Sequence, residues 1–271
     1  MGEYIQITFP DLVAEQKEIL IAQLADAGYE GFEETANGLE AFINKKDFSK
    51  SLLNEITFKY QIHYSEKIIE NINWNQVWES NFQPVTVNDF VSIRADFHEP
   101  VKNVIHEIII TPKMSFGTGH HATTYMMIEQ MQKLDFANKT VFDFGTGTGV
   151  LAILAEKLGA KKITAVDNDD WSIENAIENI ARNNCKKIAI KKAFDAVDEN
   201  KSDIILANIN RNVILENFQS LSHQLNHPGI LLISGILEED VDEILKAASV
   251  QRVKLDKKLI RNNWVSLRLI N

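Results

Sequence analysis

Val141-Phe142-Asp143-Phe144-Gly145-Thr146-Gly147-Thr148-Gly149-Val150-Leu151 is the stretch that decides the fold. Thr140–Phe144 reads as an apolar strand carrying one carboxylate. Three glycines at alternate positions follow, the residue type that tolerates φ > 0 and lets a ligand approach the backbone. Val150–Leu158 then reads as a helix stopped by Gly159. A glycine loop at a helix N-terminus presents free N–H groups and a partial positive charge. In an open α/β sheet, ligands sit beyond the C-terminal strand ends where the strand order reverses.

Downstream of this stretch, strand-like and helical runs alternate. Lys162–Val166 reads as a strand, Trp171–Asn183 as a helix, Ile188–Lys191 as a short strand and Asp203–Ala207 as a buried one. Asn212–Leu225 reads as a helix, Ile230–Ile233 as a strand and Glu238–Ala248 as a helix, with two last strands near Val250–Leu255 and Trp264–Ile270. Such alternation predicts a parallel sheet covered on both faces. The last two strands have no helix between them and are expected to pair antiparallel.

Upstream, residues 1–65 read as a small α+β unit. Ile5–Phe9 alternates like a strand, Pro10-Asp11 opens a helix, and Gly28 suits its stop. Gly31–Glu34 and Leu39–Ile43 read as strands around an Asn37-Gly38 hairpin turn. Asp47–Asn54 is expected to be helical and Thr57–Ile62 to be the last strand. The order strand, helix, strand, strand, helix, strand is that of a split βαβ, ferredoxin-like sandwich. Residues 66–85 read as a connector, with Trp74 and Trp78 on one helix face, packing it on a neighbour or serving as a hinge. The expected division is therefore 1–65, 66–85 and 86–271.

Of the 271 residues 45% are hydrophobic and 24% charged, which excludes disordered and low-complexity classes. One cysteine excludes an intramolecular disulfide scaffold. Neither a secretory leader nor an apolar run of membrane-spanning length is visible, so a soluble cytoplasmic protein is expected. The net charge of −10 argues against broad phosphate-backbone binding, so no nucleic-acid or membrane partner is expected. Residues 1–70 carry 13 acids against 6 bases, which suits a basic partner as well as simple solubility.

The glycines alone leave the ligand open. Gly147–Ala152 fits the dinucleotide pattern G-x-G-x-x-A, with Asp167 about where a ribose-binding acid belongs. Asp143 tilts the choice, because a carboxylate at the strand end would repel a pyrophosphate and suits a cationic ligand group. Asp143-x-Gly145-x-Gly147-x-Gly149 resembles the glycine motif of class I S-adenosylmethionine (AdoMet) methyltransferases. Val166-Asp167 resembles their ribose-gripping acid, and Leu206-Ala207-Asn208-Ile209 resembles the Asn-containing motif of their amino-group enzymes. Upstream, Phe116-Gly117-Thr118-Gly119-His120-His121-Ala122-Thr123-Thr124 resembles a specific segment of the PrmA family, which methylates protein eleven of the large ribosomal subunit. Trp74, Trp78 and Ser234-Gly235-Ile236 extend the resemblance over most of residues 72–271, while Lys113 and Asn210-Arg211 depart from it.

The resemblance implies an α/β Rossmann-like domain, a mostly parallel seven-stranded sheet with an antiparallel last strand, behind a small substrate-recognition domain. It implies a protein-lysine N-methyltransferase acting on lysine ε-amines, and on an N-terminal α-amine, of that ribosomal protein. It assigns AdoMet contacts to Thr124, Asp143, Gly145, Gly147, Gly149, Asp167 and Asn208, with Asn208 also aligning the attacking amine. Bland roles compete: Thr124 as a helix-start hydroxyl, Asn208 as a cap of the next helix. No metal is expected, since His120 and His121 diverge and Trp171 stands at the third ligand position of Asp167-Asn168-Asp169-Asp170. Asp169 and Asp170 are expected to charge a helix N-terminus; Trp171 is read as packing in the core, with bordering the cofactor's adenine as the alternative. An NAD-dependent oxidoreductase, a methyltransferase of another protein or small amine, and a binding module without chemistry stay open at this point.

Overall fold

Ile5, Ile7 and Phe9 lie on one face of β1 (Glu3–Pro10) and are buried, as alternation along a strand requires. The computed structural model describes residues 3–35, 37–70, 82–112, 117–196 and 200–271. The chain divides into two units, Met1–Phe82 and Gln83–Asn271.

In the first unit β1 is followed by α1 (Ala14–Asp26), β2 (Gly31–Thr35), β3 (Gly38–Asn44), α2 (Lys50–Lys59) and β4 (Ser65–Glu70). The sheet order is β2-β3-β1-β4, antiparallel throughout, with Leu20, Leu24, Leu53 and Ile56 buried against Ile5, Ile7 and Phe9. This is the expected ferredoxin-like order, with two local corrections. Thr57–Ile62 is not a strand: α2 runs on to Lys59, capped by Ser49, and Thr57 is buried with its hydroxyl donated to the Leu53 carbonyl at 2.9 Å. A six-residue alternation fits both periods, and burial of Leu53, Ile56 and Thr57 on one helix face decides it. Gly38 is not a turn residue either, since it pairs with Thr35 and Pro10 inside β3. A Cβ there would lie 2.1 Å from the Phe9 carbonyl oxygen, so glycine serves close strand approach. The strand β4 pairs with β1, so the first unit extends past residue 65 to at least Glu70. Trp74 and Trp78 lie outside the described residues.

The second unit begins with a three-stranded sheet that the sequence reading did not anticipate: β5 (Val85–Val87), β6 (Val91–Arg94) and β7 (His106–Ile109). Next comes α3 (Ala122–Met131), and then the doubly wound part. It comprises β8 (Thr140–Phe144), α4 (Val150–Lys157), β9 (Lys162–Asp167), α5 (Asp170–Arg182), β10 (Ile188–Lys192), β11 (Ser202–Asn208), α6 (Arg211–Gln224), β12 (Leu225–Leu237), α7 (Val241–Val250), β13 (Lys254–Arg261) and β14 (Trp264–Ile270). The sheet order is β10-β9-β8-β11-β12-β14-β13. Pairs from β10 to β12 are parallel, and β14 is antiparallel to both its neighbours. Strand β13 starts later than expected because α7 continues to Val250.

Strand order reverses between β8 and β11, which places the ligand crevice at the C-terminal ends of these two strands. Phe142, Phe144, Ile205, Ala207, Leu231 and Ile233 bury one face of the sheet against Ile214, Phe218, Leu221 and Ile244 of α6 and α7. Both outermost strands carry lysines, Lys191 and Lys192 on β10 and Lys254, Lys257 and Lys258 on β13, a pattern that discourages edge-to-edge association.

Candidate functional site

Gly145, Gly147 and Gly149 all have positive φ, at 74°, 52° and 81°, which L-residues adopt only with strain. The loop hugs the end of β9: the Gly145 and Thr146 N–H groups both donate to the Val166 carbonyl at 2.9 Å. The Gly147 N–H donates to Asp167 Oδ2 at 2.9 Å, while Asp169 N–H donates to Asp167 Oδ1 at 3.1 Å. Burial pushes the Asp167 carboxyl above its ordinary range, against these two stabilising donors. Each carboxylate oxygen retains a second lone pair for a hydroxyl donor.

Asp143 is wholly buried at the end of β8. Its Oδ2 accepts from the Thr146 hydroxyl at 2.6 Å, inside the glycine loop, and the Ala152 N–H in the first turn of α4 also bonds it. Burial raises its carboxyl to about 7, with Asp167 adding a smaller upward push. The geometry makes Asp143 an organiser of the loop, whereas the sequence reading had it meeting a cationic ligand group.

Asn208 ends β11 directly beside this loop, since Ala207 pairs with Phe144. It is 7% exposed, and its Nδ2 donates to Thr124 Oγ1 at 3.1 Å. Its Oδ1 is buried and accepts no hydrogen bond among the described residues. The cap of α6 is Asn210, whose side chain accepts from the Val213 N–H at 3.0 Å, so Asn208 is released from that duty. Thr124 lies in the first turn of α3, fully buried, but the cap there is His121, which accepts from the Thr123 N–H. Burial drops the His121 imidazole to about 4, so it is neutral at physiological pH, edge-on to Trp264. The Gly147–Asp167 and Asn208–Thr124 bonds thus stand at the C-terminal ends of β9 and β11, the two neighbours of β8, where Asp143 and Thr146 brace the glycine loop.

Ile209 is wedged between two glycines. A Cβ on Gly145 would stand 2.1 Å from Ile209 Cγ2, and one on Gly235 would stand 2.1 Å from the Ile209 carbonyl oxygen. Gly235, at φ 90°, is the extra residue of a bulge where the β12–β14 register shifts between Ser234 and Ile236. The Asn-Ile turn therefore has one narrow path through the site.

Three features escaped sequence reasoning. Trp171 is 69% exposed in the first turn of α5, so the favoured core packing is wrong: α5 buries Ser172, Asn175, Ala176 and Asn179 instead. Phe194, 76% exposed, follows β10 at the same sheet edge. The inward face of α5 is a carboxamide ladder. Asn183 exchanges hydrogen bonds with the Ile109 backbone at 2.6 and 3.0 Å, and Asn179 accepts from the Thr111 N–H at 2.7 Å. Asn175 donates to the Thr111 carbonyl at 3.2 Å. The spacing of four was visible, but nothing marked these asparagines as buried. Asp169 does cap α5, accepting from the Ser172 N–H at 2.8 Å. Among the described residues no His, Cys, Asp and Glu group could hold a metal ion, and no helix is long and apolar enough to cross a membrane.

A family model described as "Ribosomal protein L11 methyltransferase (PrmA)" matches residues 7–271. A relative of that name from Porphyromonas gingivalis is 38% identical over 259 residues, 93% of this chain and 89% of its own length. Another, from Phocaeicola vulgatus, is 33% identical and spans 99% of both chains. A crystal structure of ribosomal protein L11 methylase from Lactobacillus delbrueckii subsp. bulgaricus superimposes with a TM-score of 0.65 at 31% identity, covering 69% of this chain and 98% of the other.

Proposed function

As the chain belongs to the ribosomal protein L11 methyltransferase family, we propose that it transfers methyl groups from AdoMet to amines of ribosomal protein L11. AdoMet supplies a methyl on a sulfonium, open to in-line displacement by a neutral amine. The dinucleotide reading of Gly147–Ala152 is set aside with the family assignment. A ribosomal-protein substrate supports a cytoplasmic location.

The observation that carries the residue assignment is the buried, unpartnered Asn208 Oδ1. An acceptor removed from water and left without a donor costs about 1–3 kcal/mol, which a ligand N–H recovers. Asn208 Oδ1 accepts from the incoming amine and orients its lone pair, while the bond to Thr124 fixes the carboxamide plane. The amide adds no charge, so it does not favour the ammonium form that cannot attack; a free lysine has a pKa of about 10.4. Gly145 and Gly147 bring backbone close to the methionine moiety, and Asp167 accepts the ribose hydroxyls through its remaining lone pairs. The exposed faces of Trp171 and Phe194 suit a planar base at the outer end of the site. Asp143 and Thr146 hold the loop in shape. The first unit, rich in acids, recognises the basic substrate protein.

The test is incubation of the purified chain with unmethylated L11 and labelled AdoMet, followed by peptide mass spectrometry. Label on lysine side chains, with or without the terminal amine, supports the reading. Absence of label on L11, or label on another protein of a ribosomal extract, overturns it.

A further inference from the structure

Thr148 lies in the glycine loop between Gly147 and Gly149 and is wholly buried. Its hydroxyl donates to the Gly117 carbonyl at 2.8 Å, 31 residues upstream. The contact is close from both sides, since Gly117 has φ 102° and a Cβ there would fall 2.9 Å from Thr148 Oγ1. The Thr148 backbone is itself held, its carbonyl accepting from Asn179 Nδ2 at 2.9 Å. Asn179, also wholly buried, uses its other end on the Thr111 N–H at 2.7 Å. One carboxamide and one hydroxyl therefore tie the cofactor loop to two points of the segment that leads into α3.

Residues 117–121 run from this tie to His121, the cap of α3, and three residues on stands Thr124, which bonds Asn208. Gly119, at φ 94°, packs this run so tightly on β6 that a Cβ would meet Ile93 Cδ1 at 2.6 Å. The run is pinned at three places, and its Thr148 end is the one that reports to the glycine loop.

We propose that the Thr148 hydroxyl is a positioning group: by latching the Gly117 carbonyl it holds residues 117–121 against the glycine loop in the arrangement that binds AdoMet. The proposal rests on the AdoMet reading given above. Without the latch the Gly117 carbonyl loses its donor and the run is ordered only when cofactor arrives, so the loss appears in cofactor affinity. With AdoMet saturating, the Thr124–Asn208 pair is in place and turnover is preserved.

The experiment compares Thr148→Val, which keeps the shape and deletes the donor, with Thr148→Ser, which keeps the donor and deletes a methyl. AdoMet Kd is measured by calorimetry, and kcat at saturating AdoMet on L11. For Thr148→Val the Kd is expected to rise about tenfold, the scale of one lost hydrogen bond with its acceptor stranded. Its kcat is expected to stay within about threefold of the unaltered protein's, a residual effect under one kcal/mol. Thr148→Ser is expected to restore the Kd. Gly117→Ala presses on the same contact from the other side, so it is expected to raise the Kd as Thr148→Val does, and it decides the matter if Thr148→Val does not fold. Unchanged affinity in Thr148→Val or Gly117→Ala overturns the latch. Equal weakening by Val and Ser also overturns it, because packing of the methyl is then what matters. An unaltered protein that binds no AdoMet overturns the function itself, a result distinguishable from either.

Discussion

The side-chain nitrogen of Asn208 donates to Thr124 Oγ1 at 3.1 Å, across 84 residues of sequence, while the oxygen of the same carboxamide is buried and unclaimed among the described residues. One end of the amide is thus spent on the Thr124 bond, and on the proposed function the other is open to a ligand N–H. Substituting Thr124→Val removes the acceptor and frees the amide to flip. A fall of about tenfold in kcat/KM for L11, measured at fixed saturating AdoMet, is expected.

Asp167→Ala is expected to weaken AdoMet. The Gly147 and Asp169 N–H groups lose their acceptor and, on the proposed function, the ribose loses a charged one, a cost of about 1.5–3 kcal/mol, or roughly 10- to 100-fold in Kd. Calorimetry on the folded variant checks this, and an unchanged Kd removes Asp167 from the ribose site.

Asp143 carries a pH signature. Its folded carboxyl titrates near 7 because of burial, well above the unfolded value of 3.8. Between those two values the native state holds more protons than the unfolded one, so this group's contribution to stability falls as pH rises towards 7. Asp143→Asn cannot ionise and lacks that slope. Thermal unfolding without cofactor at pH 5 and pH 8 is expected to show a smaller loss of Tm at the higher pH in Asp143→Asn than in the unaltered protein. Parallel losses in the two proteins would mean that Asp143 stays ionised when folded.

Trp171 is mostly exposed, so Trp171→Ala is expected to leave Tm within about 2 °C, as surface changes do. AdoMet affinity is expected to fall about fivefold through the lost stacking face. A large drop in Tm with intact affinity would make the indole a packing element.

The acidic first unit is expected to be needed for L11 and dispensable for AdoMet. Residues 83–271 form a unit of their own, and this fragment is expected to bind AdoMet while losing most activity on L11. In the full chain the association rate with L11 is expected to fall as salt rises, because opposite charges steer the encounter. Full activity of the fragment with the same salt dependence removes the first unit from recognition.

The legible parts of this molecule were those with local causes. The strand, three glycines and helix at 140–157 announced themselves, as did the acid ending the next strand, because φ > 0 and strand ends leave fixed residue signatures. Thr57–Ile62 was misread because six residues satisfy both periods and the burial of Leu53 and Ile56 lies outside that window. Core packing was the favoured reading of Trp171, yet α5 buries Asn175 and Asn179 and leaves the indole exposed. Those asparagines look like a solvated face until β7 and Thr111 supply their partners. The cap role weighed for Asn208 belongs to Asn210, as only the bond from Val213 N–H to Asn210 shows.

Asn208→Ala, measured for AdoMet affinity by calorimetry and for single-turnover methyl transfer to L11, tests most directly the claim that this carboxamide aligns the attacking amine. The account predicts that transfer slows about 100-fold, the cost of a misplaced reactant, while AdoMet Kd shifts by less than about fivefold. An undiminished transfer rate with collapsed AdoMet affinity would contradict it and make Asn208 a cofactor ligand alone.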